Sequence, residues 1–302
     1  MRVIWLGIDD TGGCVLHWHE LRLELAKHGV ELMGPGYSWE GKKTLSELLR
    51  EVGTPDWIVL DDCNAKGYVP IKWDCEPDCK VAVREHDWWN RHRFGLHERI
   101  APDLTMGCYD RPMDTQGRSR PGWTLVPHAV NTERFCPNGE ERQYAIGFYG
   151  KHGKMYEHRT RARREIMKRK DAWVGTHGGY WHDGTEHNDG VHTFYNDNLA
   201  AKLRQCKMLW VDSPDNFGAC VLKYLEAAAS GCVLIGEVPF RAVRLVPYMS
   251  QVEPEDIHDK IAHFLSLPTL HEYGVFTRRH AKLNHSLPVR AREIVELLES
   301  EL

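Results

Sequence analysis

The chain has 302 residues, of which 42% are hydrophobic and 27% charged, and its formal net charge is -4. That composition excludes a disordered polymer, the charge excludes a uniformly basic nucleic-acid binder, and no run of about 18 apolar residues offers a membrane span. The length fits two domains of ordinary size.

The predicted elements alternate along the chain. Met1-Arg2 runs directly into Val3 to Ile8, a strand-length apolar run unlike the core of a signal peptide. Thr11, Gly12 and Gly13 follow, and Leu16 to His28 then carries apolar residues at helical spacing and stops at Gly29. Val30 to Met33 reads as a short strand and Leu45 to Val52 as a helix. Trp57 to Leu60 precedes Asp61-Asp62, and Lys80 to Val83 precedes Arg84-Glu85-His86-Asp87. Both read as buried strands feeding loops at their C-terminal ends, where open parallel sheets hold ligands. The second half repeats the pattern: a strand at Ala145 to Tyr149, a turn at Gly150 to Gly153, and a basic helix through Arg159, Arg163 and Lys168. A strand at Ala172 to Val174, a helix from Leu199 to Cys206 and a strand at Met208 to Val211 complete it. Two such series predict two doubly wound α/β domains.

Several residues in this frame are equipped for chemistry. Tyr224-Leu225-Glu226-Ala227-Ala228-Ala229 sets a single carboxylate on a small, apolar helix, Gly231 suits a left-handed cap, and Cys232 to Ile235 reads as an interior strand. Such a helix presents Glu226 to a ligand or to solvent. Gly150, Lys151, His152 and Gly153 lie between strand and helix, so backbone N–H groups can face an anion, with Lys151 adding a full charge and Arg159 and Arg163 behind it. The alternative is a solvated basic face. His86, at a strand end, can donate to a hydroxyl, with Asp87 fixing its tautomer and Trp88 beside it. Gly12 and Gly13 permit close backbone approach to a ligand.

Three of these segments resemble one family. The unit from Tyr224 to Gly236 resembles the nucleotide-sugar signature of glycosyltransferases with two Rossmann-like domains, the GT-B architecture. Leu125 to Pro137 resembles the segment that ends the first domain there, and Arg84 to Trp89 resembles a His-Asp-aromatic turn near the transferred sugar. The likeness is to retaining, group 1, family 4-like members. Lys223 ahead of Tyr224, together with Tyr195-Asn196-Asp197, is most similar to the spore-maturation-type subgroup.

The resemblance implies an acceptor-binding domain over 1–138 and a donor-binding domain over 139–302, with Ala291 to Leu302 crossing back and the cleft closing on the donor. It implies Glu226 on the donor ribose and Gly150, Lys151, His152, Gly153 and Arg159 at the diphosphate. Gly12 and Gly13 would form the opposite wall, and Asn216, Phe217, Gly218 and Lys223 would complete the donor site. His86 and Lys151 would be the catalytic residues. The family sets an acidic residue closer to this Glu than Asp215, which lies eleven positions before Glu226. The implied reaction is metal-independent transfer from a nucleoside-diphosphate sugar, a UDP-sugar first among them, to a hydroxyl with retention of configuration. No cofactor is required, and a cytoplasmic monomer or weak dimer is expected.

The acceptor is less constrained. Arg91, Arg93, Arg111, Arg118 and Arg120, interleaved with Phe94, Tyr109 and Trp123, form a basic aromatic set suited to a hydroxymethylated base in phage-type DNA. Asp87, Trp88, Arg118, Arg120 and Trp123 are the expected acceptor contacts. A glycan, lipid headgroup, protein or small molecule is the alternative, as is a non-catalytic nucleotide-sugar-binding or sensor protein of the same fold. Thr11 to Leu16 lacks the glycine pattern of a dinucleotide site. His177, His182, His187 and His192 recur every fifth residue, matching neither a helix face nor a strand face, and read as a loop near the donor base with metal binding as a minor alternative. The nine cysteines are odd in number and lack the paired spacing of a zinc site, so reduced cytosolic thiols are expected.

Overall fold

The computed structural model describes residues 1–7, 16–34, 36–38, 44–61, 71–85, 100–109, 122–150, 152–153, 156–175, 196–213, 218–239 and 248–302. Its strands are β1 (Val3–Leu6), β2 (Glu31–Met33), β3 (Trp57–Asp61), β4 (Lys80–Glu85), β5 (Leu104–Gly107), β6 (Trp123–Leu125), β7 (Tyr144–Tyr149), β8 (Ala172–Gly175), β9 (Cys206–Val211), β10 (Val233–Gly236) and β11 (Met249–Gln251). The helices are α1 (Leu16–Ala26), α2 (Leu45–Val52), α3 (Glu157–Ile166), α4 (Asn196–Arg204), α5 (Leu222–Ala229), α6 (Ile257–Ser266), α7 (Leu270–His285) and α8 (Leu287–Ser300).

The chain forms two compact units, Met1–Pro127 with Pro288–Leu302, and His128–Leu287. The first contains a sheet in the order β2-β1-β3-β4-β5-β6 and the second a sheet in the order β11-β10-β9-β7-β8. Every pairing between these strands is parallel among the described residues. In each unit the second strand lies on one side of the first and the third on the other, which is the doubly wound α/β arrangement. The interior strands read as continuous apolar runs because both faces of each sheet are covered.

In the first unit, Ile4, Leu6, Ile58, Leu60, Val81 and Val83 pack on Leu45 and Leu48 of α2. That helix begins with a reciprocal capping box between Thr44 and Glu47, which satisfies two otherwise orphaned N–H groups. Ala291, Ile294 and Leu298 of α8 are fully buried at helical spacing, and the Trp57 indole donates to the Leu298 carbonyl at 3.0 Å. The C-terminal helix is thereby fastened to β3.

The second unit is built around α5. Ala227, Ala228 and Ala229 are buried in a cluster with Leu209, Val211 and Leu234, and the short side chains allow helix and sheet to approach closely. The helix ends as its sequence suggests: Gly231 has φ 71, its N–H bonds the Ala228 carbonyl at 2.9 Å, and the Cys232 N–H reaches Ala227 at 3.0 Å. This is a Schellman cap. Gly274 of α7 packs against it so tightly that a Cβ there would lie 2.4 Å from the Gly231 carbonyl.

Two boundaries differ from the sequence expectation. The first unit ends at Pro127 rather than at 138, because the Val130 N–H bonds the His285 carbonyl at 2.9 Å and Phe135 enters the core around α5. The helix expected over 199–206 spans Asn196–Arg204, and Cys206 already opens β9 by pairing with Tyr144. No disulfide links the described cysteines. No helix among the described residues is long and apolar enough to cross a membrane.

Candidate functional site

In the second unit the strand order reverses at β7, whose neighbours are β8 and β9, and such a reversal opens a crevice beyond the carboxyl ends of the strands. Gly150 follows β7 there, Asp212 and Ser213 follow β9, and Glu237 follows β10. Asp212 is fully buried and organises the polar atoms around it. Arg159 Nε of α3 donates to its Oδ1 at 2.5 Å and Lys223 Nζ of α5 to the same oxygen at 2.5 Å, while the Trp210 indole donates to Oδ2 at 3.0 Å. Arg159 Nη2 also donates to the Asp212 carbonyl at 2.9 Å. Burial alone would push the Asp212 carboxyl up, but Lys223 and Arg159 outweigh it and hold it below the ordinary range. Lys223 is pulled down to about 7, first by burial and then by Arg159, against the attraction of Asp212. Two basic side chains thus share one carboxylate in a dry setting, at the end of the strands where a sheet of this order binds ligands.

Glu226 lies one turn beyond Lys223 on α5 and differs from Asp212 in every respect. It is half-buried, and its carboxylate has no hydrogen-bond partner among the described residues. Burial pushes it up to about 7, opposed by Arg134 and Lys223. A half-buried carboxylate without donors is poised to receive them from a ligand, because leaving it unpaired is costly. The neighbouring Ser213 is fixed separately, its N–H and hydroxyl both donating to Glu237 Oε2 at 2.7 Å.

The structure brings Gly150, Arg159, Lys223 and Glu226 into this region of the second unit. Gly150 has φ 140, a conformation that favours glycine, and a Cβ on it would lie tightly against Arg159 Nη1 at 3.2 Å. Arg159, expected from the sequence at the diphosphate, is buried, pairs with Asp212, and holds its guanidinium 4.2 Å over the Tyr156 ring. His152 and Gly153 are exposed, and the Gly153 N–H is already donated to Thr160 Oγ1 at 3.0 Å. Gly218 is half-buried with φ 54. Trp123 lies on β6 of the first unit, and its indole N–H is buried without a partner. Gly12, Gly13, His86, Asp87, Trp88, Arg118, Arg120, Lys151, Asn216, Phe217 and the histidines of 177–192 lie outside the described residues.

Sequence reasoning missed Asp212, Trp210 and Glu237. The available signal was the acid that follows an apolar strand, Met208 to Val211, just as Asp61 follows Trp57 to Leu60. The first unit repeats the device: Arg22 of α1 donates to Asp61 at 2.7 Å, the Trp5 indole donates to the same carboxylate at 3.3 Å, and a Cβ on Gly7 would meet Arg22 Nη1 at 3.1 Å. In both units an Arg from the first helix packs on the glycine after the first strand and reaches an Asp at the carboxyl end of the third. A guanidinium and a carboxylate thus occupy the switch point of each sheet.

Two Rossmann-like units with parallel sheets are the components of the GT-B architecture, and solved structures of that fold are similar to this chain. The chain is similar to a glycosyltransferase from Rickettsia africae ESF-5, with a TM-score of 0.59 and 12% identity over 99% of this chain and 98% of that one. It is also similar to AviGT4, a glycosyltransferase involved in avilamycin A biosynthesis, with a TM-score of 0.56 and 14% identity over 99% and 97% of the two chains. At such identities the likeness is one of fold. No protein-family model and no curated protein sequence matches the chain.

Proposed function

We propose that the protein is a glycosyltransferase that takes a sugar from a nucleoside-diphosphate donor, a UDP-sugar first among them, to a hydroxyl acceptor. One observation carries the reading: the half-buried, donorless carboxylate of Glu226 on a helix beside the switch point of the second sheet. Its oxygens suit the adjacent hydroxyls of a ribose, and each hydrogen bond that replaces lost water restores a desolvated charge. Arg134 and Lys223 favour its ionised, accepting form. The donor diphosphate belongs at Gly150 and Lys151, with the Arg159–Asp212–Lys223 cluster supplying background positive charge. As the sugar–oxygen bond breaks, the departing phosphate gains negative charge, and fixed positive groups stabilise that charge without reorganising.

The reaction is metal-independent and retains configuration on this reading. The departing phosphate oxygen takes the proton of the acceptor hydroxyl as that oxygen bonds the anomeric carbon on the same face. His86 donates a hydrogen bond to the sugar, and Asp87, Trp88, Arg118, Arg120 and Trp123 line the acceptor side. A hydroxymethylated base in DNA is the specific acceptor candidate, supported by the arginine and aromatic set from Arg91 to Trp123.

A panel of nucleoside-diphosphate sugars screened by thermal shift tests the donor assignment, since a ligand at 100 times its dissociation constant adds about 2.7 kcal/mol. Unchanged donor binding in both Glu226→Ala and Lys151→Ala would remove it. Product analysis with the best donor separates an enzyme from a sensor of the same fold. Absence of DNA binding at low salt would exclude the nucleic-acid acceptor.

A further inference from the structure

Arg84, next to last in β4 of the first unit, is 2% exposed, yet no carboxylate pairs with it among the described residues. Its Nε is buried without a hydrogen-bond partner, and its one polar contact is a long one from Nη2 to the Cys108 thiol at 3.8 Å. A guanidinium cannot escape burial by losing its proton, so an unpaired one is a standing cost unless an anion meets it.

The surroundings add positive charge. Arg290 of α8, 4% exposed, lies close enough that Arg84 helps burial to bring it down to about 10. Arg290 pairs with Glu293, whose side chain is half in solvent. Asp61, the register partner of Arg84 on β3, already receives Arg22 and the Trp5 indole, and the buried Glu85 beside Arg84 in the chain forms no ion pair with it. Cys108 cannot supply the missing charge as a thiolate, because burial pushes it up to about 11 despite both arginines. Arg22 has Asp61 and Arg290 has Glu293, while Arg84 has no carboxylate partner among the described residues.

We propose that Arg84, supported by Arg290, is an oxyanion-binding position of the first unit that takes a carboxylate or phosphate group. The unpartnered Nε and the weakly engaged Nη2 form one edge of the guanidinium fork, and that edge matches two oxygens of such a group. The residues of this position belong to the first unit, and the proposal does not depend on the reaction proposed for the second.

The test follows thermal unfolding of the full chain at constant ionic strength as sodium chloride is replaced by inorganic phosphate in one arm and by malonate in another. The wild type should be stabilised saturably in at least one arm, which identifies the group, and Arg84→Met should lose that part of the response. An equal response in the two proteins, or none in the wild type in either arm, overturns the proposal. If Arg84→Met does not fold, Arg84→Lys keeps the charge without the fork, and its half-saturating concentration should rise about tenfold; an unchanged value is equally decisive against the site.

Discussion

Replacing Glu226 by Gln removes a charge without changing shape, and the outcome should reverse between the free and the liganded protein. Burial raises the Glu226 carboxyl from 4.5 to about 7, so the folded protein holds that proton more tightly than the unfolded chain does. The stabilising contribution is therefore complete below about pH 4.5 and is lost as the pH rises through about 7. The interval corresponds to about 3 kcal/mol, and partial solvent access reduces it to about 2–3 kcal/mol. Unfolding of the free proteins should thus coincide near pH 4, while at pH 8 Glu226→Gln should melt about 5–10 °C higher. In the same variant, affinity for a nucleoside diphosphate should fall about 10- to 100-fold, because hydrogen bonds to a charged acceptor contribute roughly 1.5–3 kcal/mol. Calorimetric melts from pH 4 to 8, with and without UDP, read both effects. Parallel pH profiles for variant and wild type would refute the reasoning, since they would mean that Glu226 ionises as freely as an exposed carboxylate.

Asp212→Asn leaves Arg159 and Lys223 facing each other in a buried site, and a loss of about 3–5 kcal/mol is expected in urea unfolding. Adding Lys223→Met should recover part of that loss, which a simple packing defect at Asp212 would not allow. Trp57→Phe removes the hydrogen bond to the Leu298 carbonyl and should cost about 1–3 kcal/mol, with α8 becoming the earliest site of limited proteolysis.

The local elements were legible wherever one kind of residue dominated. The apolar strands β1, β3, β7, β9 and β10 are buried on both faces and so read as unbroken runs, and the Ala-rich α5 with Gly231 beyond it announced both its close packing and its cap. Helix α7 gave no such signal, because it buries Gly274, Thr277, Ala281 and His285, small and polar residues that form no apolar stripe. Strands β5, β6 and β11 are three or four residues long, too short for a period to register. The sequence by itself determined that Glu226 is the one carboxylate on its helix and that a glycine follows β7. Only the tertiary structure decided that Arg159 and Lys223 converge on Asp212, that Arg22 and Arg159 play matching parts in the two units, and that Arg84 is buried without a carboxylate. Burial and charge pairing bring together residues 53 positions apart, as Arg159 and Asp212 are, and no local pattern encodes which distant partner a buried charge will meet.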